Sequence, residues 1–357
     1  MAEYLVLYAV IGIAGYSSYA SSAAPAVKKR RAMFVCFVAT FVLLGFRHQS
    51  MGIDLGYYVN SDVSYLQAFD NIGKQRWSDL FSNSYSYFET GYVLFCKAVG
   101  AIYSNRQFFL VVCAFVSLLP IAWVIYKKSE NPVLSFVIYL SLPIFEISFS
   151  ALRQVIAVGI CCLSVYYIQE KKLIPFFIAI FVAWLFHKSA WIFLVAYPIY
   201  YFKVKRVARF IAIAIVPIVY VARYQLFSIF SKLFKQNAVP DNNGALNFLI
   251  MLVLLTLVCS LFYDEDNIHQ NGLMNLLLIC TVCQVFGNIY LTAQRIGYYF
   301  MISLVLLIPA VVNNMEYRLR VIAKVAVIVF FVAFGLYRIY TSTWSMMLPY
   351  YWCWELL

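Results

Sequence analysis

Residues 106–126 read RQFFLVVCAFVSLLPIAWVIY, and after Arg106 this stretch contains no charged side chain. A membrane-spanning helix needs about 20 predominantly apolar residues, so the stretch predicts a transmembrane span. The whole chain has a similar character, because 64% of its 357 residues are hydrophobic and only 12% are charged. Soluble globular domains carry about 25% charged residues. The composition therefore excludes a soluble protein and predicts an all-α, polytopic transmembrane helical bundle.

Apolar runs of roughly span length predict about twelve transmembrane helices within one integral membrane domain, residues 1–357. The predicted spans are residues 4–20, 32–46, 106–126, 132–150, 151–168, 173–187, 189–202, 209–223, 245–263, 272–291, 295–312 and 321–341. Two polar stretches, residues 47–91 and 224–244, are predicted as long outer loops. The short apolar run at residues 91–103 is predicted to form a helix that lies at the outer face.

Basic residues set the predicted orientation. The cluster Lys28, Lys29, Arg30 and Arg31 follows the first apolar run, which places the N-terminus outside and argues against a cleaved signal peptide. More than half of the 27 Lys and Arg residues then fall in short inner connections, as the positive-inside rule expects. The net charge of +12 thus reports loop orientation, and no nucleic-acid partner is expected.

In this topology, polar side chains gather at the outer ends of the helices. They are Arg47, His48, Asp54, Glu89, Arg153, Gln154, His187, Ser189, Gln294 and Arg295. Ionisable groups at membrane depth are costly and usually face a cavity or a partner, so we expect one polar site on the outer face. The spans lack the series of buried acids expected of a proton-driven pump, with Glu146 near an outer end as the main exception.

Three of these residues also have ordinary structural explanations. Arg47 ends the second predicted span, where an arginine commonly extends its guanidinium to the lipid headgroups. Asp54 lies between Gly52 and Gly56, which allow a sharp turn beside a carboxylate, and the alternative is a solvated loop. Glu89 precedes the short outer helix, where the helix dipole alone favours an acid.

Arg153 is the residue that most requires a partner, because it lies at a tight outer bend just before an apolar run. Its guanidinium stays charged and offers a planar fork suited to phosphate. A pyrophosphate, or a carboxylate such as Asp54 or Glu89, would therefore satisfy it. Arg295 repeats this pattern beside Tyr298, whose ring can stack on a sugar or a cation.

Signatures of several other chemistries are missing. Cys280 and Cys283 form a CxxC inside an apolar run, where packing explains them better than redox chemistry or zinc. The chain has no phosphate-binding loop and no HExxH motif, so neither a metal nor a cofactor is predicted. His187 is a lone interfacial histidine, which is more often structural than catalytic, and only its polar neighbours make it a candidate.

Five short motifs occur in a fixed order along the chain. They are Gly45, Phe46, Arg47; Gly52, Asp54, Tyr57; Glu89, Gly91, Tyr92; Leu152, Arg153, Gln154; and Phe186, His187, Lys188, Ser189, Ala190. Together they resemble the EpsG family, whose members are Wzy-like bacterial polysaccharide polymerases. The resemblance implies a glycosyltransferase that joins oligosaccharide repeat units carried on undecaprenyl diphosphate. It places the reaction at the outer, periplasmic face of the bacterial cytoplasmic (inner) membrane.

The resemblance also implies partners and site residues. The partners would be the lipid-linked donor and acceptor, the lipid bilayer and a chain-length regulator, in the synthesis of an O-antigen, capsule or exopolysaccharide. Residues and resemblance together assign the diphosphate and the sugars to Arg47, Arg153, Gln154, Arg295, Tyr57 and Tyr298. The candidates for a catalytic base are Asp54, Glu89 and His187. Asp54 is favoured among them, because its glycine-flanked turn gives it freedom to reach a sugar hydroxyl.

Two other classes of protein stay open as alternatives. A flippase for lipid-linked oligosaccharides would also need arginines in a polar cavity, but those arginines should serve both faces of the membrane. A membrane O-acyltransferase would take its acyl donor from the inner side. There the sequence offers His269 and the acidic turn of residues 264–266.

Overall fold

A computed structural model of the chain describes residues 1–56, 64–80, 87–234, 243–342 and 345–355. Within these ranges the regular secondary structure is helical, with one isolated bridge between Arg47 and Trp352 and no strand. This confirms the predicted all-α class. The helices form two compact units, which are described separately below.

The first unit contains Met1–Trp191 and Val325–Leu357. Its helices are α1 (Ala2–Ala20), α2 (Pro25–Gly45), α3 (Tyr65–Lys74), α4 (Thr90–Ile102), α5 (Arg106–Lys128), α6 (Pro132–Ser141), α7 (Pro143–Glu146), α8 (Leu152–Gln169) and α9 (Leu173–Phe186). Short 3₁₀ helices cover Ile53–Leu55, Trp77–Asp79 and, across the boundary of the units, Lys188–Val195. Helix α5 packs against α2 and α8, and α8 packs against α9.

The second unit contains Ile192–Lys324. Its helices are α10 (Ala196–Tyr201), α11 (Arg206–Val221), α12 (Arg223–Phe234), α13 (Asn243–Phe262), α14 (Ile268–Val285), α15 (Leu291–Phe300) and α16 (Ile302–Asn314). The long helix α17 (Tyr317–Thr341) begins in this unit and ends in the first. Helix α14 packs against α10, α13, α15 and α16, and so forms the centre of the unit.

Four helices are long and apolar enough to cross a membrane, namely α5, α8, the Ala245–Phe262 part of α13, and α17. Two bent helix pairs also qualify as single interrupted spans. The first joins α11 to the beginning of α12 at 78°, and the second joins α15 to α16 at 46°. The described residues thus give four to six candidate spans, and the chain is a multi-pass membrane protein. The predicted number of about twelve is not confirmed.

Several apolar runs that look like spans in the sequence are interrupted in the structure. The predicted span 132–150 is divided between α6 and α7, and turns follow α7 over residues 147–151. Pro143 causes the first interruption, because the residue before a proline is forced away from helical backbone angles. Leu142 is indeed extended, with φ −94° and ψ 156°. The turn segment of residues 147–151, here called the break, supports the site described below.

The predicted outer loop of residues 47–91 contains a helix of its own. Ser64 caps α3 by accepting a hydrogen bond from the backbone N–H of Gln67. Arg106 of α5 forms an ion pair with Asp70 at 2.6 Å, and Phe69 stacks on Phe109 with ring centroids 4.4 Å apart. Helix α3 is therefore fastened to the bundle by both charge and packing. The predicted short apolar helix is present as α4.

A polar network lies inside the second unit. Arg209 of α11 is fully buried, and its guanidinium donates to the side-chain oxygens of Asn271, Asn275 (2.8 Å) and Tyr263 (3.2 Å). Asn275 in turn donates to two backbone carbonyls at the end of α10, those of Ile199 and Phe202. The network therefore connects α10, α11 and α14.

Candidate functional site

Arg153 is the second residue of α8, and its partner is a carboxylate. Its Nη1 lies 2.5 Å from Oε2 of Glu89, and the two side chains are only 13% and 10% exposed. The same nitrogen donates to the carbonyl of Tyr87 at 3.3 Å. Of the two kinds of partner that the sequence predicts for Arg153, the structure thus contains an acid, and that acid is Glu89.

Three aromatic rings surround the Arg153 guanidinium. Its central carbon lies 5.7 Å from the ring centroid of Tyr65, 5.3 Å from that of Tyr87 and 5.0 Å from that of Phe88. The negative face of an aromatic ring attracts a cation at such distances. The rings also restrict the motion of the guanidinium, so Arg153 is a cation held in a fixed position at the start of a helix.

Glu89 connects three helices through its carboxylate. One oxygen pairs with Arg153 at the start of α8, and the other accepts the backbone N–H of Lys188, just after α9, at 3.1 Å. Glu89 itself is the residue that precedes α4. Because both oxygens are engaged, this geometry fits a counter-ion for Arg153 better than a general base.

His187 lies directly before that Lys188. It is half-buried, and its Nδ1 is 2.7 Å from the hydroxyl of Ser189. Gly91 explains how α4 comes so near to this point, because a Cβ on Gly91 would lie 2.7 Å from the carbonyl oxygen of Leu185. Only glycine permits that approach. The structure therefore brings His187 into the neighbourhood of Glu89 and Arg153.

Arg47 is buried, with 1% of its surface exposed. Its guanidinium donates to the backbone carbonyls of Leu44 and, at 3.1 Å, Ser148, and lies 5.2 Å from the ring centroid of Phe149. The expectation that Arg47 extends to the lipid headgroups is therefore wrong, because its charge is directed inward onto the break. Burial lowers the pKa of the Arg47 guanidinium to about 10, which still leaves it protonated at neutral pH.

Asp54 lies in a turn that rests on the same break. Gly52 has φ +117°, and a Cβ there would lie 1.9 Å from the carbonyl oxygen of Phe149, so only glycine fits. The backbone N–H of Asp54 donates to the hydroxyl of Ser150 at 3.2 Å. The Asp54 side chain is exposed, and among the described residues none forms a hydrogen bond or ion pair with its carboxylate.

The break is thus the common support of the predicted site in the first unit. Arg47 donates to it, the Asp54 turn packs on it, and Arg153 follows it by two residues. Gln154, the next residue of α8, is buried. Tyr57 lies outside the described residues.

Arg295 and Tyr298 belong to α15 of the second unit. Tyr298 is buried and Arg295 is half-buried, and both make contacts within the protein. That these two residues share a site with Arg153 stays a prediction.

Sequence reasoning missed the residues that surround and support these groups. Tyr65 and Phe88 are ordinary aromatic residues in a chain with 29 Tyr and 31 Phe, and nothing in their spacing points to Arg153. One feature of the sequence indicates that the predicted span 132–150 is interrupted, namely Pro143 followed by Ser148 and Ser150. Within the described part of the chain, no group of three or more His, Cys, Asp or Glu residues is placed to hold a metal ion.

Of three comparisons with known proteins, one finds a match. The model of the EpsG family matches residues 30–352, nearly the whole chain, and the match includes every site residue named above. Neither the comparison with curated proteins nor that with solved structures finds a match. The family match alone therefore identifies the chain. The protein belongs to the EpsG family, a family of Wzy-like polysaccharide polymerases.

Proposed function

We propose that the protein is a repeat-unit polymerase, a Wzy-type glycosyltransferase that joins oligosaccharides carried on undecaprenyl diphosphate. The observation that carries this proposal is the fixed, nearly buried Arg153–Glu89 pair, with the exposed Asp54 carboxylate on the same break. The proposed location is the cytoplasmic (inner) membrane of a bacterium, with the site facing outward. About twelve spans with both termini outside belong to this proposal.

The reaction needs a stabilised leaving group. The hydroxyl oxygen of the acceptor sugar forms a bond to the anomeric carbon of the growing glycan, and the bond from that carbon to the diphosphate oxygen breaks. The released lipid diphosphate gains negative charge as the bond breaks. A fixed guanidinium directed at that charge lowers the barrier, especially where water is partly excluded. Arg153 has the required position at the start of a helix.

Glu89 keeps Arg153 oriented until the diphosphate arrives. An arginine has five N–H donors, so Arg153 can bind a phosphate oxygen without releasing Glu89. In this mechanism Glu89 is a counter-ion, and Arg153 with Gln154 contacts the diphosphate. Arg47 has a different role, because its guanidinium is buried and stabilises the break by donating a hydrogen bond to it.

The acceptor hydroxyl loses a proton during the reaction, and Asp54 is the proposed base. Its carboxylate is exposed, and the described residues leave both of its oxygens available for a sugar hydroxyl. A positioned carboxylate contributes about 10²–10⁴-fold to such a step. His187 is the next candidate for this proton, since its ring lies near Glu89 and is half-exposed.

Tyr57 and Tyr298 are the tyrosines proposed to contact the sugars. The donor and acceptor are lipid-linked repeat units of an O-antigen, capsule or exopolysaccharide. A chain-length regulator is the proposed protein partner. No cofactor is included in the mechanism.

The experiment is a size profile of surface glycan and lipid-linked intermediates in cells that lack the protein and are complemented with variants. Without the protein, we expect single repeat units to be exported while long chains disappear. Wild type should restore long chains, and Asp54→Asn should reduce them about 10²–10⁴-fold at equal protein level. Asp79→Asn, an exposed aspartate of the same outer segment, is the matched control and should behave as wild type.

Two results would overturn the proposal. Lipid-linked units trapped at the inner face would mean a flippase. Chains of unchanged length that have lost acyl groups would mean an O-acyltransferase.

A further inference from the structure

The end of α17 and the residue after it contact the acid that directly precedes the break. Glu146, the last residue of α7, is 4% exposed and directly precedes the break. Its carboxylate accepts hydrogen bonds from Arg338 near the end of α17 and from the hydroxyl of Ser342. Ser342 is in turn 2.7 Å from the hydroxyl of Ser345. The buried acid that the sequence leaves without a role thus fixes the end of α17 to the break.

Residues 345–355, here called the strap, then run along the first two helices. The hydroxyl of Tyr4 donates to the carbonyl of Met347 at 3.0 Å, and the hydroxyl of Tyr350 donates to the carbonyl of Leu43 at 2.7 Å. Tyr350 is buried, and its ring packs edge-on against that of Tyr4 at 5.7 Å. The strap is therefore attached to α1 and α2 by hydrogen bonds and by ring packing.

The strap also pairs with the backbone around Arg47. The N–H of His48 donates to the carbonyl of Tyr351 at 2.8 Å, and the N–H of Cys353 donates to the carbonyl of Phe46 at 2.9 Å. These two bonds make the isolated antiparallel bridge between Arg47 and Trp352. The turn that carries Asp54 begins only a few residues further on.

Tyr350 completes the end of α2. The last carbonyls of a helix have no partner within the helix and must be satisfied from outside. Leu43 receives the Tyr350 hydroxyl, Leu44 receives Arg47, and Gly45 receives the side chain of Gln107 at 2.7 Å. Each of these donors comes from a different part of the chain. Tyr350 is the one that the strap supplies.

We propose that the strap is part of the active-site scaffold and that Tyr350 is a positioning residue for the Asp54 turn. The segment 46–56 has two glycines at positive φ and is held by the break, by α3 and by Gln107 of α5. The strap adds two backbone hydrogen bonds, at Phe46 and His48, that help to hold this segment in one conformation. This inference rests on the proposed function, because it assigns a role to the Asp54 position in the reaction. The inference adds to the candidate site a residue, Tyr350, that lies about 300 positions from the Asp54 turn in sequence.

The experiment compares variants of Tyr350 with matched variants of Tyr340. Tyr340 lies on α17 and is 75% exposed, so Tyr340→Phe and Tyr340→Ala are the controls. The full-length chain is purified in detergent and supplied with lipid-linked repeat units extracted from cells that lack it. Two quantities are measured, namely hydrogen exchange of backbone amides in residues 46–55 and the kcat and KM of polymerisation.

Loss of a buried hydrogen bond together with its ring packing favours local opening about tenfold or more. We therefore expect Tyr350→Ala to accelerate exchange in residues 46–55 about tenfold, and to lower kcat by a similar factor with KM within about twofold of wild type. Tyr350→Phe keeps the ring and should change the exchange rate and kcat by only about threefold. Both Tyr340 variants should match wild type.

Unchanged exchange in residues 46–55 of Tyr350→Ala would overturn the inference, whatever the activity. Accelerated exchange with full activity would also overturn it, because the strap would then hold a segment that the reaction does not need. A fall in activity that is fully explained by a smaller amount of folded protein would also overturn the inference. If the wild-type chain makes no polymer, the proposed function fails, and the exchange measurement still decides whether the strap holds the turn.

Discussion

Arg153 and Arg209 are both arginines near the start of a helix, one in each unit, and both lie against tyrosine rings. Their partners differ. Arg153 pairs with the carboxylate of Glu89 and keeps 13% of its side chain exposed. Arg209 is fully buried and donates to neutral amide and hydroxyl oxygens of Asn271, Asn275 and Tyr263. Among the described residues no carboxylate lies within ion-pair distance of Arg209.

This difference distinguishes Arg153, the cation proposed to act on the substrate, from Arg209, which links helices of the second unit. Neutral acceptors that enclose Arg209 link α10, α11 and α14, and leave no path for a ligand to reach it. Arg153 has one charged partner, a partly exposed side chain and spare donors, so an anionic group can approach it. The type of partner and the remaining exposure therefore indicate function more reliably than the presence of an arginine at membrane depth.

The largest expected effect tests Arg153, the member of the pair to which a role in the reaction is proposed. Arg153→Ala should reduce polymer formation about 10²–10³-fold, because a fixed charge that stabilises the leaving group is lost. The measurement is the glycan size profile at matched membrane protein level. Arg318→Ala, an exposed arginine of α17, is the control. Normal chain lengths in Arg153→Ala would contradict the assigned role.

A smaller effect, on stability, tests the structural member. Arg209→Met keeps the volume but leaves three acceptors without their donor, which should lower the free energy of unfolding by about 2 kcal/mol. Heating the purified protein and measuring the fraction that stays monodisperse would show the loss, with the exposed Arg30→Met as control. Activity per folded molecule should not change. If it falls as in Arg153→Ala, the distinction between the two arginines is wrong.

The smallest effect concerns Glu89. Glu89→Gln keeps one acceptor oxygen, which can serve Lys188 or Arg153 but not both, and removes the charge, so activity should fall about tenfold, equivalent to about 1.4 kcal/mol. The rate of polymerisation at saturating substrate measures it, with Glu316→Gln, an exposed glutamate, as control. A loss of about 10³-fold would identify Glu89 as the base instead of Asp54.

The sequence predicts those parts of the fold that depend on local composition. The apolar stretch 106–126 became α5 with nearly the expected bounds, because nothing inside it interrupts a helix except Pro120, which α5 tolerates. The run 132–150 did not become one helix, since a hydropathy pattern does not show where Pro143 divides it. Helix α3 was missed because it is shorter than a span and is held by a distant ion pair, Asp70 with Arg106.

The sequence identified the charged residues of the candidate site but not the residues that hold them in place. Arg153 and Glu89 were both named, and their pairing was one of the stated alternatives. The rings around Arg153 and the contacts of the break come from residues far apart in the chain, which no spacing rule identifies. The same reason hid the network of Arg209, since Tyr263, Asn271 and Asn275 lie 54 to 66 positions from it in sequence. The strap was missed because its partners on α1 and α2 lie far from it in sequence.

The strap has a consequence for how the protein is made. The Tyr350 hydroxyl and its acceptor on Leu43 are separated by 307 positions, and a ribosome needs about 15–60 s to synthesise that length of chain. During this time α2 has already been synthesised, while the end of that helix and the turn beyond it still lack the strap. The newly made chain therefore has an incomplete candidate site. That site is complete only after residues 345–355 have been synthesised and have packed against α2.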